Sequence, residues 1–389
     1  MRNISYGKQT ISRQDIKAVS KSLLSRFITQ GPLVQKFEKK LSNYFGSKYC
    51  LALSSGTAAL NLALLSLNLK KKDIVITTPI TFLASASCII NVGCKILLVD
   101  INEKNFTINI DLLEKKLKQL KIKKISPKAL IAVDYAGYPC NWKKIKKLSK
   151  KYKFVTINDN CHAMGSKYFG SKKYAIKYSD IVTQSFHPVK TITTGEGGAL
   201  YTNKLDIFKR VKSLRSHCID RSFTDRYGLW HYKVDNLGFN YRLTDIQSSL
   251  GISQLNQIDK FVNKRKKIAK NYDKLIQKYP QFSTIQKSDK EIDNSYHLYP
   301  LLFDFKKYNV SKKNFFLYMK KKGITLQVHY IPLQFHNLIK KNTVNIKDKF
   351  MISEKFYQRS FSIPIYPDLK YSQQKLILKL ITNYLIKNF

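Results

Sequence analysis

Ala129-Leu-Ile-Ala-Val-Asp134 is a short apolar run that ends in a carboxylate, and the same form recurs at Lys95-Ile-Leu-Leu-Val-Asp100 and Phe154-Val-Thr-Ile-Asn-Asp159. Runs of this length that are apolar on both faces are expected as strands covered on both sides by helices. Four further runs, Tyr49–Leu53, Ile74–Thr77, Ile181–Phe186 and Gly198–Thr202, extend the series from about residue 48 to 202. Between them, the Lys-rich segments 111–124 and 141–152 place apolar residues at i, i+3, i+4 spacing, the pattern of a surface helix. The expectation is a doubly wound α/β domain whose sheet is mostly parallel.

Beyond this region the pattern changes. Residues 243–279 read as one long helical stretch without proline, suited to connecting two domains. After Pro280 come a strand at 297–303, a helix at 311–322, a strand at 324–330 and a final helix at 371–387, which predict a smaller α+β domain. The expected division is therefore a large domain over 1–255, including the N-terminal segment, and a small C-terminal domain over 256–389.

Length and composition agree with a folded chain of enzyme size. Of 389 residues, 43% are hydrophobic and 12% aromatic, with only 15 Gly and 10 Pro, which excludes disorder and collagen-like repeats. No apolar run reaches the length of a membrane span, and the first residues hold no apolar block of signal type, so the expected compartment is the cytoplasm. The formal charge of +45, from 70 Lys and Arg against 25 Asp and Glu, first suggests a nucleic-acid partner. Its lysines are spread in short groups along the whole chain, however, which argues against specific nucleic-acid binding and leaves steering of small anions. The 6 cysteines form no Cys-x-x-Cys pair and no histidine stands at zinc-ligand spacing, so free thiols and no metal are expected.

Three segments carry chemistry. In Leu51-Ala-Leu-Ser-Ser-Gly-Thr-Ala-Ala-Leu60 a strand ends, a Ser-Ser-Gly turn follows and an Ala/Leu-rich helix begins. Free N–H groups at such a start favour an anion, although an ordinary Ser/Thr cap fits the same residues. In the second segment Asp159 ends a buried strand, the place where open α/β sheets bind ligands, or simply caps the following turn. There an ionised carboxylate would keep a heteroaromatic nitrogen protonated. In the third, Lys190 stands between an apolar strand and the turn Thr191-Ile-Thr-Thr-Gly-Glu-Gly-Gly198. A desolvated lysine there becomes a Schiff-base nucleophile. In this order the three segments supply every group pyridoxal phosphate needs.

At these residues the chain resembles the DegT/DnrJ/EryC/StrS sugar aminotransferases, fold type I pyridoxal-phosphate enzymes. The likeness runs through Ile28-Thr-Gln-Gly-Pro32, Phe37-Glu38, Ser54-Ser-Gly-Thr-Ala-Ala-Leu60, Thr78-Pro-Ile-Thr-Phe82, Asp159 to His162, Ser185-Phe-His-Pro-Val-Lys190, Gly238-Phe-Asn-Tyr-Arg-Leu-Thr-Asp-Ile-Gln247 and Val328-His-Tyr-Ile-Pro332. The resemblance implies that Lys190 holds the cofactor covalently and moves the proton of transamination, while Asp159 pairs with the ring nitrogen. It implies that Gly56, Thr57 and Ser185 hold the phosphate and that Phe82 stacks on the ring. His162 takes the place of a Gln or His beside the ring, or is a histidine merely satisfied by its neighbours. Asn240 would reach the phosphate of the neighbouring subunit, making the enzyme a homodimer with shared sites. Arg242 fits a salt bridge between domains equally well.

Relatives that dehydrate have His at the lysine position, so Lys190 implies transamination. In one departure, Arg215-Ser-His-Cys218 has Cys where the family usually has Gly, which Cys can replace only if that backbone is not left-handed. Within the family, residues 134–137, 158–165 and 185–200 are most similar to aminotransferases of the pseudaminic acid pathway. This implies a UDP-linked 4-keto-6-deoxy-N-acetylhexosamine as acceptor and L-glutamate as donor, with UDP-4-amino-4,6-dideoxy-N-acetyl-beta-L-altrosamine as product. Perosamine-type enzymes acting on other dTDP- or GDP-linked keto sugars, or a non-catalytic cofactor-binding regulator, are the alternative readings.

Overall fold

In the computed structural model, which describes residues 3–222, 227–284 and 290–386, the apolar runs form one seven-stranded sheet. Its strands are β1 (Tyr49–Leu53), β2 (Ile74–Thr77), β3 (Lys95–Leu98), β4 (Ala129–Val133), β5 (Val155–Asp159), β6 (Ile181–Ser185) and β7 (Gly198–Thr202). Their spatial order is β1-β7-β6-β5-β4-β2-β3, and every strand runs parallel to the rest except β7, which is antiparallel to β1 and β6. Alternation along each strand divides the core in two. Cys50, Ala52, Leu130 and Ala132 enter one apolar cluster, and Leu51, Leu53, Ala129 and Ile131 enter the other across the sheet. Both faces are thus covered, as the continuous apolar runs require.

The C-terminal part has its own core around a three-stranded antiparallel sheet of β8 (Phe282–Thr284), β9 (Tyr299–Phe303) and β10 (Ser360–Ile363), with β9 in the middle. Two expectations need correction here. The stretch 243–279 is two helices, Asp245–Leu255 and Ile258–Ile276, broken at Asn256 and Gln257. The second helix alone spans both cores: Ile258, Phe261 and Val262 pack under the large sheet, while Ile268, Ala269, Tyr272 and Ile276 belong to the small core. Residues 324–330 form no ladder and make only isolated bridges, Ile324 to Ile4 and Gln327 to Ser362. Where the N-terminal segment begins it reaches the small core, Ile4 N–H donating to Gly323 O and Thr325 N–H donating to Ile4 O, while its helix Arg13–Leu23 packs on helix Asp245–Leu255. The final helix is Tyr371–Leu385, and residue 387 of its expected range lies outside the described residues.

Cys218 is left-handed after all, with φ of 54°, directly after His217 at 62°. The conformation is over-determined by its surroundings. Cys218 N–H donates to Ser213 O at the end of helix Leu205–Leu214, and His217 N–H donates to Phe239 O. The facing segment passes so close that a Cβ on Gly238 would lie 2.3 Å from the His217 carbonyl carbon.

Candidate active site

Because β1, β2, β4, β5 and β6 are parallel, their carboxyl ends share one edge, joined there by the start of antiparallel β7. A cavity of about 590 Å³ opens at this edge. From below it is lined by Ser55, Gly56 and Thr57 after β1, Phe82 after β2, Asp159, Cys161 and His162 at the end of β5, and Ser185, His187, Val189 and Lys190 after β6. From above come Tyr6, His297 and the 327–331 segment of the C-terminal part. Seven of the sequence-predicted residues, Gly56, Thr57, Phe82, Asp159, His162, Ser185 and Lys190, therefore meet in one place. Asn240 does not; it is exposed, outside this cavity, with its backbone bridged to Ser216.

The phosphate-type turn is built by close packing. Ser55 caps helix Gly56–Leu65, its Oγ accepting from Ala58 N–H at 3.0 Å, which leaves the Gly56 and Thr57 N–H groups at the cavity end of the helix. Gly56 has no room for a side chain, since a Cβ would stand 2.8 Å from Ser185 Cβ. Across the edge, a Cβ on Gly198 would meet the Ser55 carbonyl at 2.4 Å.

Asp159 is 5% exposed and fixed by two donors, Ser85 Oγ at 2.9 Å on Oδ2 and Cys161 N–H at 3.3 Å on Oδ1. Since Ser85 spends its hydrogen on Asp159, Thr81 must be the donor in the 2.8 Å contact between Thr81 and Ser85 hydroxyls. Asn160, next in sequence, donates to the buried carboxylate of Asp134, which also accepts from Trp142, Tyr174 and Cys140 N–H. This network holds the 159–162 segment from behind.

Burial lowers the Lys190 pKa, against the opposing pull of Cys161 and Asp159. Three neutral imidazoles surround it. Burial, and then the Lys190 charge, depress His329 to about 3. His162 and His297, ring centroids 4.4 Å apart, are pushed well below the ordinary histidine range, chiefly by burial.

The family model of the DegT/DnrJ/EryC1/StrS aminotransferases matches residues 9–382. The chain belongs to this family. A transaminase of Campylobacter jejuni named for UDP-4-amino-4,6-dideoxy-N-acetyl-beta-L-altrosamine is 37% identical over 375 residues, 96% of this chain and 95% of its own. The solved structure of Helicobacter pylori PseC, an aminotransferase of pseudoaminic acid biosynthesis, superposes with a TM-score of 0.90 at 30% identity over 100% of both chains. A putative sugar aminotransferase of Streptococcus pneumoniae, solved in a PLP form, gives 0.87 at 26% identity, again over 100% of both.

Pyridoxal 5'-phosphate is the cofactor of this aminotransferase, and the cleft fits it. The cleft has a glycine-lined turn with inward N–H groups, an oriented carboxylate, a lysine and an exposed aromatic ring, Phe82, 57% accessible. Sequence reading missed Ser85 and Thr81, which orient Asp159, and Tyr330, His297, His329 and Tyr6, which close the cavity from the C-terminal side. Val328-His-Tyr-Ile-Pro332 was visible as a family motif, yet nothing in its spacing shows that the small domain folds it over β5.

Proposed function

We propose that this aminotransferase moves the amino group of L-glutamate to C4 of a UDP-linked 4-keto-6-deoxy-N-acetylhexosamine, forming UDP-4-amino-4,6-dideoxy-N-acetyl-beta-L-altrosamine for pseudaminic acid synthesis. The observation that carries this reading is the 37% identity, spread over 96% of the chain, to the Campylobacter transaminase of that name. When bound, the cofactor supplies an electron sink for the carbon that loses its proton. In the proposed roles Lys190 holds the cofactor covalently and, with its pKa lowered by burial, carries the proton between the reacting carbons. Asp159, held by Ser85 and Cys161 N–H, faces the ring nitrogen and keeps it protonated. Gly56 and Thr57 N–H groups and Ser185 Oγ grip the phosphate, aided by the helix dipole. Phe82 covers the ring and His162 stands beside it.

Asn240 is assigned to the partner's site in a homodimer. Two features support this: Asn240 is exposed and away from its own cavity, and the excursion leading to it carries Leu229, Trp230 and Leu237 at 83%, 79% and 91% exposure. Large apolar side chains so exposed mark a surface that another chain covers. The 6 free cysteines fit a reducing compartment, the cytoplasm, and no described helix is long and apolar enough to cross a membrane.

The test is a panel of UDP-, dTDP- and GDP-linked 4-keto sugars incubated with the holoenzyme and L-glutamate, with products read by mass spectrometry. Amination of the UDP-N-acetyl sugar at the highest kcat/KM supports the reading. Preference for a GDP- or dTDP-linked sugar replaces it with the perosamine-type alternative.

A further inference from the structure

We propose that Tyr330 offers its hydroxyl hydrogen to an oxygen acceptor inside the cleft, and that His162 is the positioning residue that turns it there. The direction follows from which atoms are able to donate. A backbone N–H only donates, and that of Ala136 points to His162 Nδ1 at 3.3 Å, so this nitrogen carries no hydrogen. A neutral imidazole has one N–H, which must then sit on Nε2. Nε2 faces Tyr330 Oη at 3.1 Å. The phenol oxygen is therefore the acceptor of this contact, and its own hydrogen has to leave in another direction. Among the described residues no second partner takes it, and Tyr330 lines the cavity together with Asp159, Cys161 and Lys190.

The surroundings keep both groups in the state this needs. His162 is 4% exposed, and burial together with the Lys190 charge disfavours its imidazolium. Burial, with Tyr135 and Asp159 nearby, raises the Tyr330 pKa, so the side chain stays a phenol and acts as donor rather than base. The preceding residue is pinned: Tyr135 Oη donates to His329 O at 2.5 Å, and His329 Nδ1 shares a hydrogen bond of 2.9 Å with Ser362 Oγ. Tyr330 thus reaches the cleft from a fixed backbone.

The acceptor is an oxygen with anionic or carbonyl character, available from two sources, the phenolic oxygen borne by the pyridoxal phosphate ring or the keto oxygen of the sugar. Naming these sources rests on the proposed function; the direction of the hydrogen bond does not. The first measurement is ¹⁵N NMR of the histidine-labelled holoenzyme without substrate, with the His162 signals assigned by their loss in His162→Gln. A neutral ring protonated on Nε2 is expected; an Nδ1–H tautomer or an imidazolium at pH 7.5 overturns the proposal. The second compares Tyr330→Phe with wild type. A shift of about one unit in the pH midpoint of the cofactor's visible band, without substrate, assigns the cofactor's phenolic oxygen, since a hydrogen bond to a charged group is worth about ten-fold or more. An unshifted band with kcat/KM for the sugar lowered about ten-fold or more assigns the keto oxygen. No change in either sinks the proposal. Glutamine offers an acceptor and a donor in one amide, so His162→Gln is expected to retain the Tyr330-dependent effect that His162→Leu abolishes, and equal loss in both variants reduces His162 to a structural role. Failure of the sugar panel with the Nε2–H tautomer intact overturns only the substrate assignment.

Discussion

At the scale of single residues, the proposed chemistry rests on two side chains, Lys190 and Asp159. Lys190 stands where burial destabilises its ammonium. The purified protein is expected to be yellow, borohydride to fix the cofactor on the peptide containing Lys190, and Lys190→Ala to lose both colour and turnover. Label recovered on another lysine removes Lys190 from its assigned role. Asp159 offers a harder test because its pocket is pre-built. In Asp159→Asn the amide oxygen can still accept from Ser85 Oγ, while its NH2 group faces Cys161 N–H at the cost of that longer hydrogen bond, so the cofactor is expected to stay bound although an uncharged amide no longer keeps the ring nitrogen protonated. Losing a charged hydrogen bond costs on the order of 1.5–3 kcal/mol in the ground state, and the half-reaction with glutamate is expected to slow by at least the corresponding factor. Stopped-flow spectra of that half-reaction decide the matter: a near-normal rate excludes Asp159 from proton control.

Elements show why some of this was legible in the sequence and some was not. The seven strands of the large sheet could be read because each is a short, largely apolar run that ends in, or within two residues of, Ser, Thr or Asp. β10, Ser360-Phe-Ser-Ile363, hides because four alternating residues carry too little pattern. The break at Asn256–Gln257 has no proline to announce it. It is fixed by distant partners, since Gln257 Nε2 donates to Ser12 Oγ at 3.1 Å. The cavity's lower wall was readable because it follows strand ends, whereas Tyr330, His297 and Tyr6 arrive from remote chain by packing. The loop after helix Leu205–Leu214 is the clearest mismatch between residue and conformation. A left-handed L-residue costs about 1–2 kcal/mol, partly offset in a Gly variant by the greater freedom of the unfolded chain. Cys218→Gly is therefore expected to stabilise the protein by about 1 kcal/mol, and Cys218→Ala to give nothing. Equal denaturation midpoints for Cys218→Gly and Cys218→Ala would falsify the claim of backbone strain.

The whole molecule joins these elements at two interfaces, one inside the chain and one proposed between chains. Inside, His162 from the large sheet meets His297 and His329 from the C-terminal part, and all three are held neutral in the fold. As pH falls below about 6.5 the unfolded chain gains protons that the folded one refuses, so stability declines toward acid, by up to about 1.4 kcal/mol per pH unit for each histidine. Urea unfolding at pH 7.5, 6 and 5 is expected to show this slope, and His329→Gln to flatten part of it; an unchanged slope in that variant would show that His329 titrates normally. Between chains, the proposed assignment of Asn240 to the partner's site makes a sharper claim. If Lys190 and Asn240 of one site come from different subunits, a two-fold contact requires both sites to be built this way. Lys190→Ala and Asn240→Ala dimers are then each impaired, while a mixed dimer holds one doubly defective site and one intact site. Random assembly of equal amounts places half of the chains' dimers in the mixed class, restoring about a quarter of wild-type sites. Co-expression with two different tags isolates the mixed dimers, and limiting cofactor exposes the Asn240→Ala defect, since one hydrogen bond to a charged phosphate is worth only about 1.5–3 kcal/mol. Mixed dimers no more active than the mean of the two parents would place Asn240 in its own subunit's site, and its exposure in the single chain would then need another cause.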